Sequence, residues 1–133
     1  MRLTPYLVFN GQAEEALNFY ADVLEGQIGS LHRYDAIPDV AEEHKQRIMH
    51  SCLSFDNGSM GIADTLPGDN ADFGRLGHML TMNFDSIAKI ENVYKKLCDG
   101  AQEIRCELAE AFFAKRYAEV YDRFGVLWAL ILE

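Results

Sequence analysis

"PYLVFNGQAEEALNFYADVLEG", residues 5–26, decides the fold. A short extended apolar run, Leu7-Val8-Phe9, stops at Asn10-Gly11. Apolar residues then fall at Ala13, Ala16, Leu17, Tyr20, Val23 and Leu24, which is helical spacing throughout. One face of that helix is therefore buried, and Gln12, Glu14, Glu15, Asn18 and Asp22 lie mostly on the other. Asn10 or Gly11 is the expected N-cap, with Glu14 and Glu15 near the positive end of the helix dipole. Gly26 is the expected left-handed terminator.

The same unit returns in the second half. "MLTMNF" (79–84) reads as a strand, Asp85-Ser86 as cap candidates, and Ile87, Ile90, Val93, Tyr94, Leu97 and Cys98 as a second buried helical face closed by Gly100. A displacement of 74 positions carries Ala13 onto Ile87, Tyr20 onto Tyr94 and Gly26 onto Gly100. That agreement suggests an internal duplication.

Strand-like segments follow each helix. After the first come 27–34, 47–55 and 60–64, the last two joined by the hairpin signal "DNGS". After the second come 101–108, 116–122 and 126–132, the last two joined by "DRFG". Residues 35–46 read as an exposed loop with a helical turn. The Gly/Asp-rich stretch 66–75 reads as a linker between modules 1–65 and 76–133 of a single domain. The expected order is β-α-β-β-β, linker, β-α-β-β-β, an α+β arrangement.

The 133 residues suit one domain with a real core. With 12 basic against 21 acidic residues and a net charge of −9, nucleic acid and anionic membrane surfaces are poor partners. Cys52, Cys98 and Cys106 are odd in number and form no C-x-x-C pair, so reduced thiols packed as small core residues are expected. "MRLTPYLVF" has too short an apolar run for a signal peptide, and no segment reaches membrane-span length. The expected location is the cytoplasm.

"PYLVFNGQAEEALNFY", "IMHSCLSF" and "RYAEVYDRFGVLWAL" together resemble the PhnB-like branch of the glyoxalase/bleomycin resistance/dioxygenase, or vicinal oxygen chelate, superfamily. The likeness spans nearly the whole chain. One departure is Phe112-Phe113, where relatives usually place a Trp before the final hairpin. The resemblance implies tandem βαβββ modules whose sheets curl around a shared cavity, a small-molecule ligand and a homodimer. It also brings a methyltransferase label, for which no glycine-rich loop after a strand gives support.

Catalytic members of the superfamily hold a divalent metal that acts as a Lewis acid. The resemblance places the ligand positions near Pro5, near Gly61, at His78 or Met79, and at Ala129. Pro5, Gly61 and Ala129 offer no side-chain donor, though Asp64 lies near Gly61. Strand alternation sets His78 with Leu80, Met82 and Phe84 on a helix-packing face. The expectation is no metal and no cofactor; the alternative is a metal-dependent lyase, isomerase or dioxygenase with an atypical site.

Alternation also gives a cavity lining. The family's ligand positions make Pro5, Leu7 and Phe9 the cavity face of the first strand, leaving Tyr6 and Val8 for the helix. His50 and Cys52, then Met79 and Thr81, then Ala129 face the cavity from later strands. Tyr117, Glu119 and Tyr121 share one side, which the sequence leaves open; Glu119 is counted with the lining. The lining is largely apolar with few polar groups, as small-molecule sites usually are. His50 is the candidate for chemistry, as general base or hydrogen-bond donor; its structural alternative is a bond that fixes the sheet. Cys52 and His50, two apart on a strand, stand about 7 Å from each other, too far for a thiolate–imidazole contact. The residues do not decide between binding and catalysis. Asp122 and Asp64 are expected to bond turn amides, and Trp128 to anchor the core.

Overall fold

The computed structural model describes residues 1–133. They form two compact units, Met1–Asp72 and Phe73–Glu133, each described by itself. No helix is long and apolar enough to cross a membrane.

The first unit holds β1 (Tyr6–Phe9), α1 (Ala13–Val23), β2 (Gln27–Arg33), β3 (Ile48–Phe55) and β4 (Gly58–Asp64). The second holds β5 (Leu80–Asn83), α2 (Ile87–Leu97), β6 (Glu103–Ala111), β7 (Ala114–Tyr121) and β8 (Leu127–Leu132). The sheets have matching orders, β1-β4-β3-β2 and β5-β8-β7-β6. In each, the first strand runs parallel to the last and the other pairs are antiparallel. The chain is thus two tandem βαβββ modules. The stretch between β2 and β3 contains two short 3-10 turns, Tyr34–Ala36 and Glu42–His44.

Each helix buries one face on its own sheet. α1 buries Ala13, Ala16, Leu17, Tyr20 and Val23, and α2 buries Ile90, Val93 and Leu97. Full burial of one large apolar side chain contributes about 1.5–3 kcal/mol. On the sheets, Leu7, Ile62, Met60 and Leu53 form the buried layer of the first module, and Leu130, Trp128, Ala118 and Val120 that of the second. Trp128 is a core residue, as its sequence context indicates.

The helix ends depart from expectation. Asn10 and Gly11 do not cap α1; Gln12 is the N-cap and its side chain makes no capping bond. The Asp64 carboxylate supplies the cap from the end of β4, accepting from Gly11 N–H (2.7 Å) and Ala13 N–H (3.0 Å). Its other oxygen accepts from Ile48 N–H (3.0 Å). Asn10 instead clamps Ala71, donating to its carbonyl and accepting from its amide, each at 2.8 Å. At the C-terminus the left-handed residue is Glu25 (φ 51°), not Gly26. Gly26 N–H reaches back to the Ala21 carbonyl, which completes a Schellman-type ending. Glycine is needed at 26 for space: a Cβ there would lie 2.9 Å from the Ser54 carbonyl oxygen. In α2, Ser86 accepts from Lys89 N–H, and Gly100 takes the left-handed conformation.

Asp122 organises the last turn. One oxygen accepts from Phe124 N–H (2.9 Å) and Val126 N–H (3.0 Å), the other from Trp128 Nε1–H (2.8 Å). The cysteines are free, but none is a fully buried core residue: Cys52 and Cys98 are half-buried and Cys106 is exposed.

Candidate functional site

Each sheet has one face under its helix and one helix-free face, and register assigns every side chain to one or the other. In the first module Tyr6 pairs with Gly61 and Gly61 with Cys52, so these share a face. Leu7 pairs with Ile62, and Phe9 with Asp64, on the opposite side. Leu7 and Phe9 are therefore buried in the helix-packed layer and are not on the face of His50 and Cys52. The sequence-based assignment of this strand is reversed. Tyr6 and Val8 take the helix-free face instead. Whole-side-chain apolarity already pointed this way: Leu7 and Phe9 carry no polar atom, while Tyr6 has a hydroxyl to place.

Tyr6 is the residue that the sequence reading missed. Its ring lies across β4 at Gly61, where a Cβ would sit 2.2 Å from Tyr6 Cδ2. Only glycine leaves room for the ring there. The Tyr6 hydroxyl meets His50 Nδ1 at 2.8 Å, and the two rings stack at 5.8 Å. His32, opposite His50 across β2 and β3, stacks on it at 6.4 Å. Burial raises the Tyr6 pKa, with the Tyr34 charge second, so the phenol stays protonated. His50 is thus held by a phenol from β1. With Nδ1 engaged, Nε2 is the ring atom left for a ligand.

In the second module Thr81 pairs with Ala129, and Ala129 with Glu119. The three form one row on the helix-free face, across adjacent strands. This answers the question left open for β7: Tyr117, Glu119 and Tyr121 lie on the side of Ala129. Glu119 accepts from Arg105 Nε (3.1 Å) and from the Tyr117 hydroxyl (3.0 Å). Burial first, then the bond to Glu119, pushes the Tyr117 pKa up. Further along β7, the Arg75 guanidinium lies 4.5 Å from the Tyr121 ring centre and pairs with Glu103. Met79, just before β5, is exposed.

The metal implied by the wider fold family finds no matching donors. Pro5 and Ala129 have none, and Gly61 is covered by the Tyr6 ring. Glu119, beside Ala129, is already held by Arg105 and Tyr117. Asp64 turns to the helix side, where three backbone amides use it. His78 lies against Phe73 and is exposed. No three His, Cys, Asp or Glu side chains converge as a metal site would require.

The model of the family described as 3-demethylubiquinone-9 3-methyltransferase matches residues 1–131. The chain belongs to this family. A protein from Pseudomonas aeruginosa, PA1353, is 29% identical and superposes with a TM-score of 0.90, covering 100% of this chain and 98% of that one. A Bacillus cereus structure described as a putative 3-demethylubiquinone-9 3-methyltransferase, PhnB protein, is 24% identical with a TM-score of 0.81 and full coverage of both chains. A glyoxylase/bleomycin resistance protein/dioxygenase domain from Frankia sp. EAN1pec shares the fold at 15% identity and a TM-score of 0.71, covering 99% of this chain and 96% of its own. The chain is thus a PhnB-like protein of the glyoxalase/bleomycin-resistance fold.

Proposed function

We propose that this PhnB-like chain binds a small, partly apolar molecule on the helix-free faces of its sheets, without a metal, as a homodimer. One observation carries the reading. The position that should grip a cation on β4 is Gly61, and the Tyr6 ring, bonded to His50, covers it. The groups left to meet a ligand are apolar or hydrogen-bonding: Tyr6, His50 and Cys52 in one module, Met79 and Thr81 in the other, where Ala129 is buried and Glu119 is held by Arg105 and Tyr117. Pairing of two copies is supported by exposed apolar side chains such as Phe112 and Phe113 at the β6–β7 tip. Three free thiols suit the reducing cytoplasm.

Methyl transfer, which the family description names, gains no support from the strand-to-helix turns. Gly11 and Ala13 N–H are taken by Asp64, and Lys89 N–H by Ser86. Those three amides are therefore not offered to a nucleotide-type cofactor.

A second reading has its own observation. When Nδ1–H donates to the Tyr6 oxygen, His50 Nε2 presents a lone pair, the arrangement of a general base. His50 would then move a proton without a cofactor. Metal analysis of protein purified without chelator, with a thermal-shift screen of small aromatic and aliphatic compounds, tests the first reading. Substoichiometric metal and stabilising hits are expected; stoichiometric Zn, Ni, Mn or Fe overturns it. His50→Ala that keeps ligand binding but loses turnover selects the second reading. Light scattering checks the dimer.

A further inference from the structure

On the helix-free face of the second module, Arg105 and Tyr117 hold Glu119 from two sides. A register shift in β6 falls between Ile104, which pairs with Val120, and Cys106, which pairs with Glu119. Arg105 is the extra residue of that bulge. A bulge re-aims a side chain, and here it swings Arg105 onto the face of Glu119, where Nε donates at 3.1 Å. The other Glu119 oxygen is fixed by the Tyr117 hydroxyl at 3.0 Å. Glu119 thus orients Arg105 by its Nε edge and leaves the two Nη groups unused.

The other arginines of this module are engaged differently. Both Nη groups of Arg75 are committed to Glu103. Arg116 donates Nη1 to the Lys115 carbonyl, and Arg123 grips Asp99 through Nε and Nη2. Arg105 alone is held through Nε only. The Arg105 and Glu119 side chains are 32% and 21% exposed, so the pair is partly withdrawn from water and its hydrogen bonds are correspondingly stronger. Beside Glu119 the same face carries Ala129 and Leu127, both buried, then the half-buried Ile131 and the exposed Thr81.

Resting on the small-ligand reading above, we infer that this face takes a molecule with an apolar body and one carboxylate. The carboxylate sits on the free Nη fork of Arg105 and the body lies on the accessible part of the same face, toward Ile131 and Thr81. A planar fork matches a carboxylate with two parallel hydrogen bonds. A dianion is disfavoured by the Glu119 charge and by the net charge of −9.

The test uses the full chain and three probes of one shape: benzoate, phenyl phosphate and benzyl alcohol. Each is titrated while the Arg105 side-chain Nε–H signal is followed by NMR. Benzoate is expected to shift that signal and to bind at least about tenfold more tightly than benzyl alcohol, since charge-assisted bonds are the stronger ones. Arg105→Gln, checked for an unchanged melting temperature, is expected to lose this preference, and Arg105→Lys to restore only part of it. Tighter binding of phenyl phosphate overturns the carboxylate assignment. Benzyl alcohol binding as well as benzoate, or Arg105→Gln leaving benzoate unaffected, overturns it while the small-ligand reading stands. If no probe binds at about 10 mM, the assignment falls, and the compound screen above separately decides whether the wider reading falls with it.

Discussion

The two modules have the same strand order but start their helices by different means, and the difference shows which contacts are local and which tie the module together. α2 is capped from within, by Ser86 three residues before the amide it serves. α1 is capped from the end of β4, by a carboxylate that also holds the first residue of β3. The second module keeps its own buried carboxylate, Asp122, for the turn between β7 and β8 and for Trp128. One module uses its buried acid to join three elements, β4, α1 and β3; the other uses it on one turn and the strand that leaves it.

Removing Asp64 should break this contrast most severely. Asp64→Ala leaves three amides, two of them buried with the acid, without an acceptor, and about 3–5 kcal/mol of stability should go. Urea titration measures it; a loss under about 1 kcal/mol would show that water replaces the carboxylate and that the two modules are equivalent after all. Gly61→Ala comes next. The added methyl cannot coexist with the Tyr6 ring, so a cost of about 1–3 kcal/mol is expected. It should be accompanied by a changed His50 imidazole nitrogen shift, because the Tyr6 bond is lost. An unperturbed His50 would mean that the ring does not need glycine beneath it.

Ser86→Ala should cost about 1 kcal/mol, the usual value of a local cap. A loss equal to that of Asp64→Ala would erase the distinction between the two helix starts. The smallest effect concerns Glu14, in the first turn of α1, whose pair with Arg33 of β2 measures 2.6 Å. The hydrogen bond from Arg33 lowers the Glu14 pKa. A lowered folded-state pKa means that the stabilisation is complete above the ordinary glutamate value and is lost as pH falls through the folded one. Glu14→Gln should therefore be less stable than the parent near neutrality, by under about 1 kcal/mol for so exposed a pair, and the gap should close in acid. A gap that persists at low pH would assign the effect to packing.

What the sequence made legible follows the same division. Helical spacing and the hairpin turns placed every element, because a repeat of three and four over eleven residues leaves few alternatives. Asp122 was legible because its partners lie within six positions. Asp64 was harder: its partners are 16 to 53 positions away, and no local pattern announces them. The face of β1 was read backwards because the resemblance set a ligand position near Pro5 and alternation carried that face to Leu7 and Phe9; a four-residue strand has too few side chains to correct it. A displacement of 74 carries Phe9 onto Asn83, yet Phe9 faces α1 and Asn83 faces away from α2. The repeat of the helices thus does not extend in phase to the strands before them. Gly11, at φ 101° and gripped by Asp64, sits where the first module makes that adjustment. In the second module the alternation of β5, β7 and β8 was sound, and the row Thr81, Ala129, Glu119 follows from it. Arg105 stayed hidden because a bulge has no signature in residue order.

The parallel pairing of first strand with last also governs the order in which each module can be completed. Residues 6–9 have no strand partner until residues 61–64 have emerged, and residues 80–83 wait likewise for 128–131. Loop closure over such separations slows folding. During synthesis each opening strand therefore remains an unpaired apolar segment until its closing strand leaves the ribosome, and this interval is when the nascent chain is most exposed to misassociation.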